Sequence, residues 1–215
     1  MKSAITKKTK LIFIANHNNP TGTYVGVKEF NNFLASIPQD IIVVYDEAYA
    51  EYVDTDDFPC GIRYFREKNF IVLKTFSKIY GLAGLRLGYG VTNAAFIDAM
   101  NRVRQPFNVN SLAQTAAIAA LDDIEHLKRS RSITLEGKKF LYKNFDQMGL
   151  GYAPSAANFI LVKARQGIFQ RLLEAGVIVR PMDMYGLKGY IRVTVGTQKE
   201  NEQFIKALKC ALKRG

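Results

Sequence analysis

Three short apolar runs, each closing on a cluster of polar residues, constrain this chain more than any other feature. They are Leu11-Ile12-Phe13-Ile14-Ala15, Ile41-Ile42-Val43-Val44-Tyr45 and Phe70-Ile71-Val72-Leu73. Uninterrupted runs this short, bounded by turn signals, read as buried strands. Beyond their carboxyl ends come Asn16-His17-Asn18-Asn19-Pro20-Thr21-Gly22, Asp46-Glu47-Ala48-Tyr49 and Lys74-Thr75-Phe76-Ser77-Lys78. In open α/β sheets that edge is where ligands sit. The chain therefore reads as an α/β protein in which three strand ends deliver an amide, a carboxylate with a phenol, and a lysine.

Lys78 lies beside two hydroxyls, Thr75 and Ser77, with Arg86 eight residues on beyond a small-residue turn. Such a set suits an anionic, carbonyl-bearing ligand. A lysine amine forms a Schiff base with an aldehyde, and hydroxyls with a guanidinium fork match phosphate oxygens; pyridoxal phosphate carries both groups. Taken singly, each residue has a plainer reading. Lys78 is then a solvated lysine on a turn, Asp46 a helix N-cap after a strand, Asn19 a turn residue and Tyr49 a half-buried phenol.

Order and spacing decide between these. N-N-P-T-G, then D-E-A-Y, then T-F-S-K with an arginine eight beyond the lysine, resembles the aminotransferases of pyridoxal-phosphate fold type I. The lysine motif continues as K-I-Y-G-L-A-G-L-R-L-G-Y-G and the tail reads G-V-I-V-R-P-M, then Y-I-R-V-T-V-G-T, which is most similar to the histidinol-phosphate aminotransferases. Threonine-phosphate decarboxylases and aromatic aminotransferases share much of the pattern. From a different class, a non-catalytic interaction module would lack any adduct at Lys78.

The resemblance implies a role for each motif residue. Lys78 is the cofactor's tether and the general base, and Asp46 pairs with the ring nitrogen. Asn19 and Tyr49 hydrogen-bond the cofactor's phenolate oxygen, and Thr75, Ser77 and Arg86 hold its phosphate. Arg192 grips a substrate carboxylate by a bidentate fork, and Arg180 takes the phosphate of a phosphorylated substrate. The implied cofactor is pyridoxal 5'-phosphate. The implied substrates are small molecules, a phosphorylated amino alcohol with 2-oxoglutarate or glutamate, and the implied assembly is a homodimer. One departure is His17, where the family commonly shows proline; it reads as a tolerated change.

The rest of the chain supplies the frame. Phe30, Phe33, Leu34 and Ile37 recur at helical spacing, so Val27 to Ile37 reads as an amphipathic helix ended by Pro38. Asp54 to Glu67 reads as an irregular surface excursion. Leu87 to Val91 reads as a further strand, and Phe96, Met100 and Val103 mark a helix stopped near Pro106. Helices follow over Ser111–Leu121 and Asp122–Met148. After the breakers Gly149, Gly151 and Pro154 come a strand at Phe159–Val162, a helix at Phe169–Ala175, strands at Val177–Val179 and Tyr190–Val195, and a last helix capped by Thr197 with Glu200.

This divides the chain into residues 1–122, the remainder of a large cofactor-binding domain with a mostly parallel sheet flanked by helices; 123–148, a bridging helix; and 149–215, a small α+β domain. In the resembling family the first motif lies mid-chain, after an N-terminal arm and a glycine-containing turn over the cofactor phosphate. A truncated form or a natural short relative is therefore expected, and dimerisation or instability from an uncovered sheet edge.

Composition narrows the class. With 48% apolar residues among 215 and no low-complexity tract, the chain reads as an ordinary globular protein. No apolar run approaches the ~20 residues of a membrane span, so no membrane partner is expected. The net charge of +11 is spread along the chain apart from Lys7–Lys10 and Lys128–Arg131. Without a nucleic-acid-binding signature it points to small anionic substrates, not nucleic acid. Cys60 and Cys210 show neither metal nor redox spacing, so no metal is expected and a reducing cytoplasm is the default.

Overall fold

The computed structural model describes residues 1–66 and 69–213. Glu67, the end of the expected surface excursion, lies outside the described residues, as do the last two positions of the expected small domain. The chain forms two compact units, Met1–His17 with Tyr24–Leu127, and Asn18–Thr23 with the chain from Lys128 onward.

In the first unit, β1 (Leu11–Ala15), β2 (Ile42–Asp46), β3 (Phe70–Thr75) and β4 (Gly88–Val91) form one sheet in that order. β1 and β2 run parallel, as do β2 and β3, whereas β4 returns antiparallel to β3. One face of the sheet carries Ile12, Val43, Tyr45, Phe70 and Val72 against Phe30 and Leu34 of α1 (Val27–Ala35). Phe30 meets Tyr45 with ring centroids 4.8 Å apart. β1 is an edge, and Leu11 and Phe13 on it are 49% and 70% exposed.

Sequence periodicity and structure differ at the ends of elements, for local reasons. α1 stops at Ala35, short of Ile37, because both the amide and the hydroxyl of Ser36 turn back onto the Phe33 carbonyl. β3 runs on to Thr75 because β4 pairs along it, Thr75 facing Gly88. α2 (Ala94–Asn101) and α3 (Ser111–Asp122) start on Asn93 and Asn110, whose side chains accept the amides of Phe96 and Ala113. Val103 lies beyond the end of α2 because the amides of Val103 and Arg104 both converge on the Met100 carbonyl.

α4 (Ile124–Gln147) leads into the second unit, where β5 (Tyr152–Ala153), β6 (Phe159–Lys163), β7 (Arg180–Pro181) and β8 (Tyr190–Thr194) form an antiparallel sheet in the order β5-β6-β8-β7. Leu141 and Phe145 of α4, Leu172 of α5 (Ile168–Glu174) and Phe204 and Leu208 of α6 (Gln198–Lys213) enclose Ile160, Val162, Ile191 and Val193 of the sheet. The expected strand at Val177–Val179 is not formed; Arg180–Pro181 pairs instead. The cause is the end of α5, where Gly176 at φ 75° closes a Schellman turn. Val177 N–H donates to Leu172 and Gly176 N–H to Leu173, so residues that would start a strand are spent capping the helix. At the start of α6, Glu200 Oε2 accepts the Thr197 amide at 2.7 Å, and Glu200 N–H lies 3.4 Å from Thr197 Oγ1, which completes the capping box. No helix among the described residues is long and apolar enough to cross a membrane.

Candidate active site

The parallel register sets the first group of candidate residues. Asp46 ends β2 and faces Ala15 on one side and Leu73 on the other, so its exposed carboxylate stands at the carboxyl edge of the sheet. Its Oδ1 accepts the Ala48 amide at 2.9 Å, and no described residue engages Oδ2. The turn it starts brings in Tyr49, which is buried. Lys78 follows the adjacent strand, with Nζ 5.2 Å from the centroid of the Tyr49 ring. The structure thus joins the lysine and the phenol from two motifs that lie 29 residues apart in sequence.

The loop that carries Lys78 is tied down on both sides. Phe76 N–H donates to Leu87 O, Leu82 N–H to Phe76 O, and His126 Nε2 meets Ile79 O at 2.9 Å. A carbonyl only accepts, so His126 is the donor there. Thr75 Oγ1 takes the Ser77 amide at 3.1 Å, which orders the hydroxyl pair. Arg86 sits in the left-handed region at φ 54° and donates to its own turn at Ala83 O. No described hydrogen bond joins Arg86 to Thr75 or Ser77.

Behind these residues lies a set of charges that sequence reading missed. Lys74, on β3, places Nζ 3.1 Å from Glu47 Oε2 and 2.9 Å from Glu51 Oε1, with side-chain exposures of 11%, 0% and 16% respectively. Glu47 also accepts the Gly61 amide. Burial works against the charge on Lys74, but the two carboxylates outweigh it and hold the ammonium above the usual lysine range. The ion group therefore ties the segment bearing Asp46 and Tyr49 to the strand leading to Lys78. One signal was available in the sequence, a lysine at the end of an apolar strand with a carboxylate next to Asp46.

His17, the departure noted in the sequence, sits among aromatic rings. It is 2% exposed and packs as an aromatic, stacked on Phe58 at 5.0 Å with Tyr24 edge-on at 5.6 Å. Beside it, Asn16 accepts Val25 N–H, donates to Val25 O and donates to Tyr45 Oη at 2.8 Å. Burial pushes the Tyr45 phenol well above its usual range, so it stays protonated and donates onward to Pro59 O.

The second group lies in the second unit. Asn19 is exposed on the loop Asn18–Thr23, and its Oδ1 accepts from Arg192 at 2.6 Å. The Arg192 guanidinium carbon lies 5.1 Å from the Phe159 ring centroid, and its buried Nε finds no acceptor among the described residues. Arg180, exposed on β7, faces Arg192 directly across the β7–β8 pair. Two guanidiniums in one cross-strand pair, one with an unsatisfied donor, form a setting for an anion.

The chain is similar to known proteins along nearly all its length. It is 50% identical over 214 residues to a histidinol-phosphate aminotransferase of Moorella thermoacetica, covering 97% of this chain and 55% of that protein. The same identity holds over 216 residues with histidinol-phosphate aminotransferase 1 of Nitrosococcus oceani, covering 99% and 58%. Among solved structures, that of a Sinorhizobium meliloti histidinol-phosphate aminotransferase in complex with pyridoxal-5'-phosphate superposes with a TM-score of 0.88 at 29% identity, covering 94% of this chain and 57% of that one. The chain thus spans little more than half the length of the relatives it matches. The model of the family described as aminotransferase class I and II matches residues 1–208, and the chain belongs to that family.

Proposed function

We propose that this chain carries the lysine-centred machinery of a pyridoxal 5'-phosphate-dependent aminotransferase, which exchanges the amino group between histidinol phosphate and 2-oxoglutarate in histidine biosynthesis. The observation that carries the reading is the seat of Lys78, its amine over the Tyr49 ring beside the strand that ends in Asp46. The donor set fits the cofactor. It offers an amine for an aldehyde, a carboxylate oxygen with no described partner for a ring nitrogen, and hydroxyls and a guanidinium for phosphate.

When bound, pyridoxal phosphate supplies an aldehyde that condenses with amines and a ring that accepts the electron pair left on the substrate carbon. Lys78 Nζ would hold the aldehyde, and its free amine would be the group that moves the proton of the substrate carbon. Asp46 Oδ2 would pair with the ring nitrogen and favour its protonated form. Tyr49 and Asn19 would hydrogen-bond the ring's phenolate oxygen, and Thr75, Ser77 and Arg86 would hold the phosphate. Arg192 grips the carboxylate of glutamate or 2-oxoglutarate, and Arg180 takes the phosphate of the amino alcohol.

On this reading the sheet of residues 1–122 belongs to the large cofactor-binding domain, 123–148 is the bridge, and 149–215 the small domain. The protein works in the cytoplasm as a homodimer. Support for dimerisation comes from apolar side chains left exposed in the first unit, among them Phe107, Leu112 and Ile118 at 99%, 77% and 66%.

The test is the near-visible absorbance of the chain with added pyridoxal phosphate, then borohydride reduction and peptide mapping. A stable adduct confined to Lys78 and lost in Lys78→Ala is the expected result. No specific adduct, or one scattered over surface lysines, would overturn the reading.

A further inference from the structure

Two residues of α4, Lys138 and Tyr142, are four apart and so share one face of the helix. Lys138 is only 9% exposed, and no step of the proposed chemistry uses it. Its Nζ donates to the backbone carbonyl of Ser155 at 3.0 Å. Tyr142 Oη accepts the amide of the same residue at 2.8 Å, while its ring stacks on Tyr152 with centroids 4.7 Å apart. Both backbone groups of Ser155 are thereby fixed to the helix, and its Oγ accepts the Ala157 amide at 3.1 Å.

The next residue passes this order on. Ala156 N–H donates to Gly22 O at 2.9 Å. Gly22 adopts φ 72°, and a Cβ there would overlap Ser155 Oγ, so the two loops meet too closely for any residue but glycine. Gly22 N–H in turn closes on Asn18 O, and Asn18 N–H on Thr23 O, both at 2.8 Å. Asn19 stands inside this closed loop with its Oδ1 on Arg192. Burying a polar group costs free energy unless a hydrogen bond offsets it, and here that bond is directed at the Ser155 carbonyl. What the lysine adds is a fixed direction for the group it holds.

We propose that Lys138 and Tyr142 are positioning residues that act through Ser155 and Gly22 to hold Asn19 and thereby the Asn19–Arg192 pair. Its consequence for the cofactor rests on the reading of Asn19 given above. Lys138→Met keeps the length of the side chain and removes the donor; Lys138→Arg keeps a donor; Tyr142→Phe removes the acceptor for Ser155 N–H.

Amide hydrogen exchange of the cofactor-free chain tests the brace alone. Expected is exchange about tenfold faster at residues 18–23 and 155–157 in Lys138→Met, the factor given by loss of one hydrogen bond. β6 and β8 respond less than these loops, Lys138→Arg restores protection, and Tyr142→Phe gives the same local pattern. Unchanged exchange at residues 18–23 in both variants, or faster exchange spread evenly over β6 and β8, would overturn the proposal. Titration with pyridoxal phosphate then reads the cofactor consequence, with a Kd about tenfold weaker in Lys138→Met. Should the unaltered chain bind no cofactor while the loops still respond to Lys138→Met, the brace stands and the functional reading falls.

Discussion

Arg180 and Arg192 face each other directly across the antiparallel pair of β7 and β8. Like charges in that position destabilise a sheet, so Arg180→Ala should leave the ligand-free chain as stable as before or slightly more so. With inorganic phosphate added, the order should reverse. An anion bridging two guanidiniums stabilises only the folded chain, and the unaltered protein should gain more in thermal midpoint than the variant. In turnover, Arg180→Ala should weaken the phosphorylated substrate more than glutamate, and equal losses for both would remove Arg180 from the phosphate's reach.

The buried ion group offers a second test. Lys74→Met strands the fully buried carboxylate of Glu47, and breaking such a pair from one side costs about 3–5 kcal/mol. Lys74→Met with Glu47→Gln should recover most of that loss in urea unfolding. The pH dependence follows from the raised value of Lys74. The contribution of the ion group is fully present below the ordinary lysine value of 10.5 and is lost as pH rises through the higher folded value. The unaltered chain should therefore lose stability in alkali more steeply than the double variant.

A third test concerns the loop of Lys78. His126 caps the Ile79 carbonyl from outside the motif, and loss of one hydrogen bond is worth about 0.5–1.5 kcal/mol. His126→Ala should weaken pyridoxal phosphate binding by about three- to tenfold without moving the site of borohydride trapping, which peptide mapping would check. His126→Gln, which can still donate, should lose less.

What could be read from the sequence was whatever depends on neighbours in the chain. β1, β2 and β3 announce themselves as unbroken apolar runs, and the alternation in Tyr190–Val195 correctly separates buried Ile191 and Val193 from Arg192. Lys78, Asp46 and Tyr49 stand out in the sequence because their order is a pattern, and the fold sets Lys78 beside the Tyr49 ring. The displaced strand at β7 was hidden because the Schellman turn after α5 consumes amides that look available for pairing. Lys74, Lys138 and Ser155 were hidden for another reason. Each is an ordinary polar residue until the fold brings a partner from far along the chain, 23 residues away for Lys74 with Glu51 and 17 for Lys138 with Ser155.

The cap of α6 gives the last test, and its sign runs opposite to that of Lys74. The Thr197 amide, and then its hydroxyl, bind the Glu200 carboxylate and hold its pKa below the ordinary 4.5. A depressed carboxylate contributes stability that is present above the unfolded value and lost as pH falls through the folded one. Thr197→Ala removes the capping hydroxyl and should cost about 1 kcal/mol at neutral pH. Glu200→Gln should be less stable than the unaltered chain at pH 7, and the difference should shrink as the pH is taken below 4.5, because protonation removes from the unaltered chain the same charge that the variant lacks. Urea unfolding across that range is the check. A difference that persists unchanged to the acid end would show that the carboxylate's charge contributes nothing to the cap.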